Sequence, residues 1–193
     1  MYRRVMDRLV DRSVDVGTLM EISTSEPMTA RFDALYRETA SDVFAYVMTL
    51  LRDRAAAEDV TSAAFERAYR RQARFDPKRG TQRAWLFGIA RNAALDELRA
   101  RKRTAALLTD PEDPEPRHGA GAGDDDEAAL RRAAVAAALA QLDPRERELI
   151  ALKFHAGLDN AEIAKVLNIS VANAGTRVHR AVTRLRKACH APS

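Results

Sequence analysis

The sequence predicts an all-α protein of two small helical domains, a two-helix-turn unit following a helical bundle, joined by a flexible acidic linker. Three observations carry this. Hydrophobic residues make up 46% of the 193 residues, yet much of that share is alanine and only 6% of the chain is aromatic, a composition for helices packed through small side chains and not for a β-sandwich. Apolar positions recur at three- and four-residue steps on both sides of one Pro/Gly/Asp-rich stretch. Charge divides with the same boundaries: residues 31–103 hold 16 basic and 10 acidic groups, residues 104–130 hold 1 and 8, and residues 131–193 hold 11 and 5. The formal net charge of +4 therefore conceals two basic blocks around an acidic one.

Residues 1–30 form an N-terminal extension, expected to be poorly ordered or regulatory. Met28 precedes TARFDALYRE, so the extension is either a misassigned start or a regulatory arm. In residues 31–103 a long amphipathic helix places Phe32, Leu35, Tyr36, Val43, Val47 and Leu51 on one side. A second helix is expected from about Ala55 to Arg74, then a break at FDPKRGTQ, where Pro77 and Gly80 punctuate. A third runs from about Arg83 to Arg103. Its wheel puts Trp85, Leu86, Ile89, Ala90 and Ala93 toward the core, with Phe87, Ala94 and Leu98 continuing that side.

Residues 104–130 contain Pro111, Pro114, Pro116, three glycines and clustered acids, which cannot build a core and read as a tether. In residues 131–193 the caps are explicit. Asp143, Pro144 and Glu146 fit N-cap, N1 and N3, and Gly157 is placed to close that helix. Asp159 or Asn160 opens a short helix ending near Asn168, a residue that tolerates the left-handed conformation. Ser170 caps a last helix to about Ala188. Two helices joined by such a turn form a helix-turn-helix pattern.

On that last helix, at 100° per residue, Ala174, Val178, Ala181, Val182 and Leu185 share one side. Asn173, Thr176, Arg177, Arg180, Thr183, Arg184 and Lys187 share the other. A helix-turn-helix presents the start of its second helix to base edges, which makes Asn173, Thr176, Arg177 and Arg180 candidates for base contact, with Arg184 and Lys187 on phosphates. In the first half, Arg91, Asn92, Arg99 and Lys102 form a polar arc. With Lys78, Arg79, Thr81, Gln82 and Arg83 of the preceding loop they suit single-stranded nucleic acid. The alternative in each case is a solvated helical face.

Catalysis finds no support. His118, His155, His179 and His190 lack metal-ligand spacing, and Cys189, the only cysteine, excludes an intrachain disulfide. The linker glycines open no helix after a strand, so no phosphate loop is read. No catalytic set, metal or cofactor is expected. The longest apolar run, Ala133 to Leu142, is far short of the roughly 20 residues that span a bilayer, and no export signal is seen. A cytoplasmic, non-enzymatic protein is the expectation.

The strings AEDVTSAAFERAYRR, RGTQRAWLFGIARNAALDELRARKR and LDPRERELIALKFHAGLDNAEIAKVLNISVANAGTRVHRAVTRLRK, in this order, resemble bacterial RNA polymerase sigma factors of the extracytoplasmic-function (ECF) group, in the sigma-70 family. The resemblance spans about Phe32 to Lys187. It implies that residues 31–103 are region 2, which captures the melted minus-ten strand, and residues 131–193 region 4, which reads the minus-thirty-five duplex. The family's promoter-melting motif falls on Trp85 to Arg103, and its loop for a flipped-out base on about Asp76 to Gln82. Trp85 could stack on a base, but its wheel position favours the core. The family's contact with core RNA polymerase, on the largest-subunit clamp, maps to Glu58, Asp59, Phe65, Glu66 and Arg67, of which Phe65 could equally be a core residue. A second contact with the flap region, promoter DNA in both duplex and single-stranded form, and a cognate anti-sigma factor are the other partners implied.

Two departures stand out. Ser62 and Ala63 replace a frequent Gln-Glu pair in the polymerase-binding helix. Gly175 stands where a lysine is usual in the recognition helix, at a cost of about 1 kcal/mol of helix stability relative to alanine. The acidic linker would suit basic polymerase surfaces as a polyanion mimic; a solubilising tether is the plainer reading. The rival to the whole reading is a stand-alone helix-turn-helix regulator with an N-terminal dimerisation or sensor domain, and a DNA-processing enzyme is a remote third.

Overall fold

The computed structural model describes residues 28–107 and 126–190. Among them lie seven α-helices: α1 Met28–Leu51, α2 Arg54–Arg71, α3 Gln82–Leu107, α4 Asp126–Ala140, α5 Pro144–Phe154, α6 Asn160–Leu167 and α7 Val171–His190. Two 3₁₀ turns, Gln72–Arg74 and Pro77–Arg79, connect α2 to α3. The proposed linker role and the N-terminal extension concern residues that are largely outside the described ones.

Helix boundaries follow local chemistry. Arg52 takes a left-handed φ of 54° and ends α1; Asp53 then caps α2 by accepting from the Ala56 amide at 3.1 Å. The second helix was expected to reach Arg74, but its last turn tightens into the 3₁₀ form, a common way to end a helix. Asp76 caps the next turn through the Lys78 amide at 3.0 Å. Gly80, at φ 146°, supplies a conformation closed to side-chain-bearing residues.

Helices run into both ends of the expected linker, residues 104–130. α3 continues four residues past Arg103 to Leu107, since Thr-Ala-Ala-Leu offers no break, and α4 starts at Asp126, inside the acidic run. Only 108–125 of the predicted tether stay outside the described residues.

The first three helices bury Phe32, Tyr46, Phe65, Leu86 and Phe87 completely or nearly so. Phe65 meets Tyr36 at 4.6 Å and Phe32 at 6.3 Å between ring centroids, and Tyr46 lies 5.5 Å from Phe87. Every apolar α1 position picked out by spacing is buried. The second bundle closes over Leu149, Leu152, Leu158, Ile163, Ala174 and Val178. The two bundles are not merely tethered: α1 packs on α5, α3 packs on α6, and one continuous apolar core runs through both.

Candidate nucleic-acid interface

α6 and α7 are set by the caps read from the sequence. Asp143 accepts from the amides of Arg145 and Glu146, at 2.8 and 3.0 Å, and Glu146 reaches back to the Asp143 amide. Asp159, not Asn160, caps α6, and Glu162 completes a second capping box. Asn168 is left-handed, φ 54°, and its amide bonds back to the last α6 carbonyls. Ser170 Oγ then accepts from the Asn173 amide at 3.2 Å. The turn is thus closed by backbone amides at the α6 end and by the Ser170 side chain at the α7 end, which satisfies the helix-end groups that border it.

α7 splits as the wheel predicts. Ala174, Val178 and Ala181 are buried; Thr176, Arg177, Arg180, Thr183 and Lys187 are exposed, and Asn173 is half-exposed. The Thr176 hydroxyl donates to the Ala172 carbonyl at 3.0 Å, so its oxygen faces outward as an acceptor only. Arg184, expected on phosphates, is exposed and has its guanidinium paired with Glu146 at 2.8 Å, which ties α7 to the start of α5. Gly175 faces α6, where an added Cβ would lie 3.4 Å from Asn160 Nδ2.

The loop and α3 residues lie along one cleft. Lys78, Arg79, Thr81, Trp85 and Asn92 line it on one side, and Lys165, Val166 and Asn168 of the second bundle on the other. Trp85 is half-buried, packed on the core with its ring 5.5 Å from Phe75. Lys102 is exposed and Gln82 half-buried. Arg99 is paired with Asp96 at 2.9 Å.

Three members of the expected basic groove turn instead toward the second bundle. Arg83 bonds Asp42 and donates to the Ala156 and His155 carbonyls at the end of α5, while its guanidinium lies 5.6 Å from the Phe87 ring centre. Arg91 pairs with Glu148 at 2.7 Å, with both side chains largely buried. Thr81 donates to Glu162. Tyr46, fully buried, donates its hydroxyl to Glu148 at 3.2 Å; burial, and next the Glu148 charge, push the phenol well above its ordinary pKa, so it remains a donor. Tyr46, Glu148, Glu162, Lys165 and Asp42 escape sequence reasoning because their partners lie tens of residues away.

On α2, Glu58, Asp59 and Arg67 are exposed and Glu66 is half-exposed. Glu58 pairs with Arg54 at 3.1 Å and Glu66 with Arg70. Of the two readings of Phe65, polymerase contact or core residue, the structure has the core one: with no exposed area, it packs against the rings of Tyr36 and Phe32. α2 thus offers a mainly charged surface.

Residues 35–104 match the model of sigma-70 region 2, and residues 132–185 that of sigma-70 region 4. The ECF RNA polymerase sigma factor SigL of Mycobacterium tuberculosis is 37% identical over 158 residues, covering 79% of this chain and 85% of SigL. The RNA polymerase sigma factor CarQ of Myxococcus xanthus is 34% identical over 157 residues, covering 81% and 87%. Among solved structures, the fold is similar to the sigma factor RpoE in complex with the anti-sigma factor NepR from Bartonella quintana, with a TM-score of 0.66, 23% identity, and coverage of 84% of this chain and 99% of that one. It is also similar to CnrH in complex with the cytosolic domain of CnrY, with a TM-score of 0.61, 24% identity, and coverage of 99% and 98%. No helix among the described residues is long and apolar enough to cross a membrane. Two region matches in family order, on two helical bundles, with relatives covered over most of their length, establish that the chain belongs to the ECF group of RNA polymerase sigma factors, the non-catalytic proteins of transcription initiation.

Proposed function

We propose that the first bundle captures the melted minus-ten strand and that α7 reads the minus-thirty-five duplex. The observation that carries this is the division of α7: an apolar stripe locked into the bundle leaves Thr176, Arg177 and Arg180 on one exposed face immediately after a capped turn. A recognition helix needs that geometry to reach base edges. The cleft beneath the Pro77–Arg79 turn, with Asn92 and Trp85 in its wall, has the size and donors for an extruded base. Unpairing is then offset by capture, without hydrolysis.

The exposed carboxylates and Arg67 on α2 suit a polar contact with the polymerase clamp, and the second bundle one with the flap. An anti-sigma factor is a further partner; RpoE was solved with one. The proposed units are residues 31–103 and 131–193, with the acidic segment between them following the polymerase surface.

Run-off transcription tests the reading. Purified core polymerase with this chain should initiate from a cognate promoter obtained by pull-down, and core polymerase alone should not. Duplex binding without any initiation would favour a stand-alone regulator.

A further inference from the structure

We propose that Asp76 is a positioning residue for strand capture: its side chain holds the Pro77–Arg79 turn in the shape that presents Lys78 and Arg79 to a single-stranded base in the adjoining cleft. The inference rests on the minus-ten reading of that cleft and deepens it. The turn is anchored at both ends. Before it, the Phe75 ring lies 5.5 Å from that of Trp85, and the Phe75 amide donates to the Gln72 carbonyl at 3.1 Å. After it, Thr81 caps α3, its hydroxyl oxygen accepting from the Ala84 amide at 3.1 Å and its carbonyl from the Trp85 amide at 3.1 Å. Between these anchors the Lys78 amide donates to Asp76 Oδ1 at 3.0 Å, the Arg79 amide to the Asp76 carbonyl at 3.0 Å and the Gly80 amide to the Pro77 carbonyl at 3.3 Å. Proline has no N–H, so every amide from Pro77 to Gly80 is either absent or engaged within the turn. The turn therefore reads a base through its exposed side chains.

The charge of Asp76 runs against its surroundings. Among the described residues that line the cleft it is the one acid, set with Arg71, Arg74, Lys78, Arg79 and Lys165. A carboxylate there repels the phosphates of an incoming strand, and on electrostatics alone its removal strengthens binding. Its hydrogen bond works in the other direction. A turn already fixed through the amide two residues on spares the strand the cost of ordering it on binding. The side chain thus has two effects of opposite sign, and two substitutions separate them. Asparagine keeps an oxygen that accepts from the Lys78 amide and removes the charge; alanine removes both.

Core polymerase assembled with wild type, Asp76→Asn or Asp76→Ala would be titrated by fluorescence anisotropy against a labelled single strand carrying the minus-ten segment of the promoter recovered by pull-down. The same strand with an abasic residue at each position in turn completes the set. Wild type should lose affinity at the abasic position whose base enters the cleft, identified as the position whose sensitivity Asn92→Ala, in the cleft wall, also weakens. Asp76→Asn should bind the intact strand at least as tightly as wild type and keep that sensitivity. Asp76→Ala should bind about fivefold more weakly and lose the sensitivity at that position, with its response at every other position unchanged. Gly80→Ala disturbs the turn from its other end, because φ of 146° is closed to a side-chain-bearing residue while the added Cβ would lie in ordinary contact, 3.7 Å from Lys165 Nζ. It should reproduce the Asp76→Ala pattern, and it takes that variant's place should circular dichroism show Asp76→Ala to be unfolded.

Tighter binding by both Asp76 variants would overturn the proposal, since the carboxylate would then act through its charge alone. Equal weakening of both would overturn it as well, because the hydrogen bond that asparagine retains would then not matter. A loss in Asp76→Ala spread evenly over all positions would mark general damage to the bundle and refute a role at one base. If wild type shows the cleft position and the variants give any of these results, the positioning role fails and the minus-ten reading stands; if wild type shows no such position, the reading itself fails and the proposal with it.

Discussion

Replacing Gly175 with alanine should stabilise the protein, although the residue lies in the recognition helix. A glycine inside a helix costs about 1 kcal/mol relative to alanine, and no left-handed φ is recorded at Gly175. The only question is space. An added Cβ would meet Asn160 Nδ2 at 3.4 Å and Cγ at 4.0 Å, ordinary contact with the end of a side chain on α6. The full propensity gain of about 1 kcal/mol should therefore appear, which for a chain of this size corresponds to roughly 2–4 °C in Tm. Calorimetry of wild type and Gly175→Ala measures it. Because the new methyl faces α6 and not the exposed basic side, promoter-duplex affinity should be retained in a parallel titration. A variant that melts at or below the wild-type temperature would show that α6 and α7 need the closer approach that only glycine permits, and the contact argument would be wrong.

Asp143→Ala should lower stability by about 1 kcal/mol through loss of the α5 cap, seen as a lower midpoint in chemical denaturation. The Glu146 amide, and then the Arg145 amide, hold the Asp143 carboxyl below its ordinary value. Its contribution is thus complete above the unfolded aspartate pKa of about 3.9 and is lost as pH falls through the lower folded value; the gap between wild type and Asp143→Asn should shrink over that acid range, and a constant gap would contradict the assignment. Thr61→Val removes a buried hydroxyl that has no hydrogen-bond partner at nearly constant volume, and should raise stability by about 1 kcal/mol, measured by the same denaturation. Arg177→Ala or Arg180→Ala should cost roughly 1–3 kcal/mol of discrimination at any base the side chain reads. Selection from a randomised minus-thirty-five library checks this, and an unchanged profile for both would place the reading face elsewhere.

What sequence could reveal was set by range. The capping boxes of α5 and α6 and the left-handed Asn168 involve residues three to five apart, so their chemistry is written locally and was legible. The apolar stripe of α7 repeats with the helical period and was legible for the same reason. Phe65 was ambiguous because a buried aromatic and a surface anchor have the same spacing; only Phe32 and Tyr36 arriving against it decide the matter. Arg83 was read in the loop before α3 and Arg91 on its polar arc, but their partners are 41 and 57 residues away. A wheel shows which groups leave the core. It does not show what waits outside.

The charge pattern acquires a different meaning once those partners are known. A basic block is a measure of nucleic-acid affinity only when its cations are available, since binding is driven by release of counterions from phosphates that protein cations replace. Arg83 and Arg91 already face carboxylates and carbonyls, whereas Lys78, Arg79 and Lys102 are exposed. The first bundle therefore carries two classes of cation, one paired within the protein and one open to solvent. If a paired arginine were freed to reach a phosphate, it would add about 0.7 to the salt slope for a single strand.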